Sequence, residues 1–227
     1  MTARIGVLAS GGGTNLQSIL DFLRATPRGA EVAMVASDRP TAGALQRARD
    51  AGIPAVVLRS TRNADGKDLL ASLKEHRVDF IALAGYLRLI APEVIKEFPS
   101  RIVNIHPALL PAFGGPGMYG ERVHRAVLMS GARVSGATVH YVDDEYDHGT
   151  ILAQWPVPVL ADDSVQSLAS RVLKVEHVLY PRVIAAVATK QWRFDQRPRA
   201  VPDVAAFALM HWDESRLIEE IEHAFGL

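Results

Sequence analysis

An amide and an imidazole stand two residues apart in Arg101-Ile102-Val103-Asn104-Ile105-His106-Pro107, an apolar segment that ends on proline. Alternation along a β-strand sends Asn104 and His106 to one face and Val103 and Ile105 to the other. An unpaired polar group in a buried strand costs about 1–3 kcal/mol, so this pair requires partners unless it is a solvated strand end. Pro107 disfavours the helical region for His106, which puts the imidazole at the extended C-terminal end of its strand, beside the crevice where open α/β sheets bind ligands. Carboxylates are available in Asp143-Asp144-Glu145-Tyr146-Asp147-His148-Gly149-Thr150, with four acids in five positions. The run lacks the spacing and terminal Glu of an EF-hand. It reads either as a solvated acidic turn or as the source of a carboxylate that faces His106, orienting the ring and raising its pKa from about 6.5.

A second chemical feature is Ser10-Gly11-Gly12-Gly13-Thr14-Asn15, between the apolar residues 5–9 and a segment with Leu16, Ile19, Leu20 and Leu23 at helical spacing. Strand, glycine turn and helix together offer bare amides and a helix N-terminus to an anion such as a phosphate monoester. Neither the dinucleotide fingerprint nor the P-loop pattern is met, since no lysine follows the glycines. A tight turn with Thr14 or Asn15 as helix cap is the plainer reading.

The elements that must position these groups follow a βαβαβ rhythm. Strands are expected over residues 31–37, 55–58 and 78–84, with helices over 42–51 and around Leu69, Leu70 and Leu73. This pattern predicts a mostly parallel sheet with helices on both faces. Gly85-Tyr86-Leu87-Arg88-Leu89-Ile90 is either ordinary packing or an apolar pocket wall with Arg88 at its rim. Residues 114–120 hold four glycines in seven positions, a loop that shapes a site or a plain surface connection. A helix over 121–129, strands over 137–142 and 151–159, and a long helix opened by Asp163 and Ser164 complete the expected domain, residues 1–190. Glu176 on that long helix is expected to be exposed unless the helix passes the phosphate pocket. Residues 191–227 read as a C-terminal extension with an amphipathic helix over 215–225.

Composition narrows the function classes. The chain has 227 residues, 48% of them apolar, enough for one well-packed domain. Its 25 basic and 25 acidic side chains balance without a long basic run, so small molecules rather than nucleic acid are the expected partners. With no cysteine there is no disulfide framework and no thiolate chemistry. No signal-peptide pattern precedes Arg4 and no apolar run approaches the ~20 residues of a membrane span, so the cytoplasm, without membrane attachment, is the expected compartment. The assembly is expected to be a monomer or homodimer.

Taken in order, Ser10-Gly11-Gly12-Gly13-Thr14-Asn15-Leu16, Leu83-Ala84-Gly85-Tyr86-Leu87-Arg88, Asn104-Ile105-His106-Pro107-Ala108-Leu109-Leu110-Pro111, and Thr138-Val139-His140-Tyr141-Val142 followed by Asp147 closely resemble the folate-dependent phosphoribosylglycinamide formyltransferase family. The resemblance runs from about Arg4 to about Ala185. It implies a Rossmann-like formyltransferase fold and formyl transfer from 10-formyltetrahydrofolate, a co-substrate, to glycinamide ribonucleotide in purine biosynthesis, with no metal required. It further implies that Gly13, Thr14 and Asn15 hold the substrate phosphate and that Glu176 contacts the same substrate. Leu87, Arg88, Leu89 and Ile90 would line the pterin pocket, which Val142, Asp143 and Asp144 would border, with Asn104 beside the folate. Arg62 falls where an arginine touches the folate, in a loop that is shortened here.

Asn104, His106 and Asp147 match the family's catalytic trio. The substrate amine attacks the formyl carbon, and negative charge develops on oxygen. Asn104 and a protonated His106 would stabilise that oxygen, while Asp147 would keep His106 protonated near neutral pH and help move a proton through water. Two departures stand out: His148 follows Asp147 where relatives often carry glycine, and the loop over 114–120 is longer than in many relatives. Formyltetrahydrofolate deformylase shares the Asn-x-His-Pro core, as does methionyl-tRNA formyltransferase with its larger RNA-binding domain. A noncatalytic folate- or nucleotide-binding protein is the alternative of another class.

Overall fold

A computed structural model describes residues 2–26, 29–58, 66–189 and 214–225. Seven strands form one sheet in the order β3-β2-β1-β4-β5-β6-β7. They are β1 (Ala3–Leu8), β2 (Ala30–Ser37), β3 (Ala55–Val57), β4 (Phe80–Leu83), β5 (Ile102–His106), β6 (Val134–Tyr141) and β7 (Ile151–Pro158). The first five strands in that order pair in parallel, whereas β6 pairs antiparallel with both β5 and β7. This is the mostly parallel sheet expected from the alternating apolar runs, in the Rossmann-like arrangement that the family resemblance implies.

The helices are α1 (Thr14–Ala25), α2 (Gly43–Asp50), α3 (Lys67–Glu75), α4 (Pro92–Glu97), α5 (Glu121–Ser130), α6 (Val165–Ala188) and α7 (Leu217–Phe225). Strand alternation divides the core. Ile5, Val7, Val103 and Ile105 pack with Leu16 and Ile19 of α1 and with Leu168 and Val172 of α6 on one face. Leu8, Ile81 and Ile102 meet Leu69 and Leu73 of α3 and Val94 of α4 on the other. Burying such side chains contributes roughly 1.5–3 kcal/mol each, which fixes the strand register that aims the polar residues.

Two features of this topology build the site. The chain leaves β1 toward β2 but returns through α3 to β4 on the opposite side of β1, so strand order reverses there. The loops leaving β1 and β4 therefore meet across the crevice of a topological switch point. On the far side of β4, antiparallel pairing sets Asn104 opposite His140 and His106 opposite Thr138. Tyr180 of α6 fastens the layers by donating to Leu83 O and Val103 O at 2.8 and 3.1 Å.

Helix α6 starts as its sequence requires: the Ser164 side chain accepts from Ser167 N–H while Ser167 Oγ accepts from Ser164 N–H. The C-terminal helix α7 docks on α6 through buried Leu217 and Ile221, with ion pairs Lys174–Glu214 and Arg182–Glu222 at 2.6 and 2.8 Å. Residues 190–213, including Trp192, Pro198 and Pro202, lie outside the described residues, as does Arg62.

Candidate active site

At the C-terminal ends of β4 and β5 lies a cavity of about 590 Å³, a size suited to a small-molecule ligand. Asn104 and His106 of β5 enter it from one side, with Asp147 from the loop between β6 and β7. The His106 Nδ1 atom stands 3.4 Å from Asp147 Oδ2. Its Nε2 atom is 2.9 Å from the Phe113 carbonyl oxygen. A ring nitrogen facing a carbonyl must carry hydrogen, so Nε2–H donates to Phe113, and Nδ1 faces the carboxylate.

Asp147 is surrounded by donors. Gly115 N–H donates to Oδ2 at 3.0 Å, and Asn104 Nδ2 donates to Oδ1 at 3.4 Å. Burial pushes this carboxyl upward, but the hydrogen bond and charge of His106 and the Gly115 amide outweigh it and hold it well below the usual carboxylate range. The loop over 114–120 is thus a wall of the site: a side chain at Gly114 would come within 2.5 Å of Leu110 Cδ2 and 3.2 Å of Asp147 Cβ.

His140 is a site residue to which sequence reasoning gave no role. Its Nδ1 lies 2.8 Å from Tyr141 O and so carries hydrogen, which leaves Nε2, 3.0 Å from Asn104 Nδ2, as acceptor. The signal was present: Thr138 and His140 repeat, on the neighbouring strand, the polar alternation of Asn104 and His106.

The second half of the cavity is built from α1, α6 and the loop after β4. Asn15 lines it, and its Nδ2 donates to Glu176 Oε2 at 2.7 Å. The Asn15 Oδ1 atom is buried without a protein partner. Glu176 is 8% exposed, the buried one of the two placements expected for it, because α6 crosses α1 at the cavity. Burial raises its pKa to about 7 against the lowering effects of Asn15 and the charge of His106.

Gly13 and Thr14 adjoin this half in the turn without lining the cavity itself. Gly13 has φ 76°, and a Cβ there would lie 2.7 Å from Ala44 Cα, so only glycine permits this close approach of α1 and α2. Neither Thr14 nor Asn15 caps α1 by its side chain; Gly13 takes the cap position.

Tyr86, Leu87, Leu89 and Ile90 form an apolar wall with Arg88 beside them, and Val142 joins it. Arg88 Nε donates to Asp38 at 2.8 Å. Asp143 and Asp144 are not among the lining residues; Glu145 and Tyr146 are. Asp143 instead accepts from His148 Nδ1 at 2.9 Å, and Asp144 is exposed. Among the described residues no group of three or more His, Cys, Asp or Glu could hold a metal ion, and no helix is long and apolar enough to cross a membrane.

The formyl transferase family model matches residues 3–184. A chloroplastic phosphoribosylglycinamide formyltransferase of Arabidopsis thaliana is 45% identical over 202 residues, covering 86% of this chain and 69% of that one. The corresponding Vigna unguiculata protein is 44% identical, and its match covers 86% of this chain and 64% of that protein, so this chain spans about two thirds of the plant relatives. Among solved structures, glycinamide ribonucleotide transformylase 1 from Symbiobacterium toebii is 43% identical with a TM-score of 0.78, covering 86% of this chain and 92% of that one. With the matched model spanning the whole sheet and both halves of the cavity, this chain belongs to the formyl transferase family, among the phosphoribosylglycinamide formyltransferases.

Proposed function

We propose that this chain transfers the formyl group of 10-formyltetrahydrofolate to the amine of 5'-phosphoribosylglycinamide, giving formylglycinamide ribonucleotide and tetrahydrofolate in purine biosynthesis. The observation that carries the reading is the meeting of Asn104, His106 and Asp147 in one cavity, with a glycine turn at one end and an apolar wall at the other. The turn over Gly13, Thr14 and Asn15 is assigned to the phosphate, since the first amides of α1 have no intrahelical acceptor. Glu176, beside Asn15, is assigned to the glycinamide portion.

Leu87, Leu89, Ile90 and Val142 are assigned to the pterin, with Arg88 beside it. Arg62 remains assigned to the folate, and Asp143 and Asp144 to the outer border of its pocket through the same loop as Asp147. The amine lone pair attacks the formyl carbon, the carbonyl electron pair moves to oxygen, and collapse expels the folate N10, which takes a proton. Asn104 presents its amide to the oxyanion, and the imidazolium form of His106 stabilises it electrostatically, each such donor contributing roughly 2.7–4 kcal/mol. Asp147 stabilises that imidazolium and, through water, carries the proton from the attacking amine. His140 holds the Asn104 amide in place.

These two small molecules are the proposed partners, with no role for nucleic acid or membrane. We assign the reaction to the cytoplasm, to a monomer or homodimer, and to residues 1–190, with 191–227 as an extension. The test is folate release followed by absorbance with glycinamide ribonucleotide present and omitted. Release that depends on the ribonucleotide and yields formylated product supports the transferase. Release without it identifies a deformylase, and binding of both ligands without single-turnover transfer identifies a noncatalytic binder.

A further inference from the structure

We propose that Asp38 is a positioning residue that ties the phosphate turn to the folate wall, so that a ligand in one half of the cavity raises affinity for the ligand in the other. The inference rests on the functional reading above and adds a coupling to it. Asp38 follows β2 outside the cavity lining, yet its side chain is only 7% exposed. Such a carboxylate is costly to bury unless charge-assisted hydrogen bonds satisfy it.

Each oxygen of Asp38 serves a different loop. Ser10 Oγ, at the head of the glycine turn, donates to Oδ1 at 2.6 Å. Arg88 Nε, in the wall after β4, donates to Oδ2 at 2.8 Å. The two loops are also joined directly, since Leu87 N–H donates to Ser10 Oγ at 3.0 Å and Ser10 N–H donates to Gly85 O at 3.0 Å.

Ser10 is therefore donor and acceptor at once, and Asp38 closes the ring through the guanidinium. Burial pushes the Asp38 carboxyl upward, but the Ser10 and Arg88 hydrogen bonds and the Arg88 charge bring it below its ordinary value, in keeping with an ionised link. Ordering the turn around a phosphate fixes Ser10, which fixes Asp38 and hence the planar Arg88 group beside the folate. A second ligand then meets a wall already ordered, which is positive coupling by linkage.

The test uses the whole chain. Tetrahydrofolate is titrated calorimetrically with and without saturating glycinamide ribonucleotide, and steady-state constants are measured alongside. The parent is expected to bind tetrahydrofolate at least about fivefold more tightly when the ribonucleotide is present. In Asp38→Asn an oxygen can still accept from Ser10, but an N–H₂ opposes the Arg88 N–H. That ratio is expected to fall to within about twofold of one, with KM for the folate up about tenfold and kcat within about threefold. Arg88→Lys, which keeps the charge but loses the planar fork, is expected to lower the ratio likewise and decides the matter if Asp38→Asn does not fold. A parent ratio of one, or a variant that folds and keeps the parental ratio, overturns the proposal. A parent that binds neither ligand sinks the functional reading itself and the coupling with it.

Discussion

Asp147 and Glu176 are carboxylates of one cavity, yet the protein drives them in opposite directions. Asp147 sits among donors, the His106 ring, an amide side chain and a backbone N–H, and its ionised form is stabilised despite burial. Glu176 has a single donor in Asn15, so desolvation wins and its pKa rises to about 7. Burial alone thus decides neither charge; the number of donors aimed at each carboxylate does. The Asp147 corner is arranged to hold charge. The Glu176 corner can bind while giving up or taking a proton near neutrality, and pairs of titratable groups separated in this way divide the roles in an active site.

This contrast can be broken by substitution, and the largest effect is expected at the charged corner. His106→Ala or Asp147→Asn should lower the single-turnover rate by about 10²–10⁴-fold, with the dissociation constant for glycinamide ribonucleotide nearly unchanged; parental turnover in either variant would remove the assigned roles. Asn104→Ala should cost about 10²–10³-fold in kcat. At the other corner, Glu176→Gln should weaken glycinamide ribonucleotide binding about tenfold and leave kcat largely intact, as titration of the ribonucleotide would show. If kcat collapses instead, the division between the two corners fails.

Thermal stability against pH sharpens the same comparison. Asp147 has a depressed folded pKa, so its contribution is present above the unfolded value of about 3.9 and is lost as pH falls. Glu176 is raised from 4.5 to about 7, so its contribution is greatest below the unfolded value and is lost as pH climbs through about 7. Asp147→Asn should therefore flatten the acid limb of a Tm profile, and Glu176→Gln the part of the fall that sets in as pH rises toward neutrality. The smallest effect is expected from His148→Gly. His148 is exposed, and Asp143 beside it raises its pKa; KM for the folate should stay within about twofold in the variant.

The strands and helices that bear the site could be read because their signals are local. Residues 31–37 and 78–84 are apolar runs between turn residues, and Leu168, Val172, Val175 and Leu179 recur at helical spacing on α6. The pairing of Asn104 with His106 was legible for the same reason, since alternation fixes a shared face. Glu176 was not: its helix position says which face it shares with its neighbours, not that the face crosses α1 at the cavity. His140 was passed over because its partner, Asn104, is 36 residues away.

By itself, then, the order of residues determined the mostly parallel sheet, the helix that follows the glycine turn and the shared face of Asn104 and His106, because backbone sterics and periodicity act over a few positions. Only the tertiary structure decided which carboxylate has its pKa lowered and which has it raised, which of Val142, Asp143 and Asp144 lines the cavity, and that Asp38 links two loops. Those outcomes depend on burial and on donors from segments far apart in the chain, and electrostatic energies in a protein interior are set by distance in space.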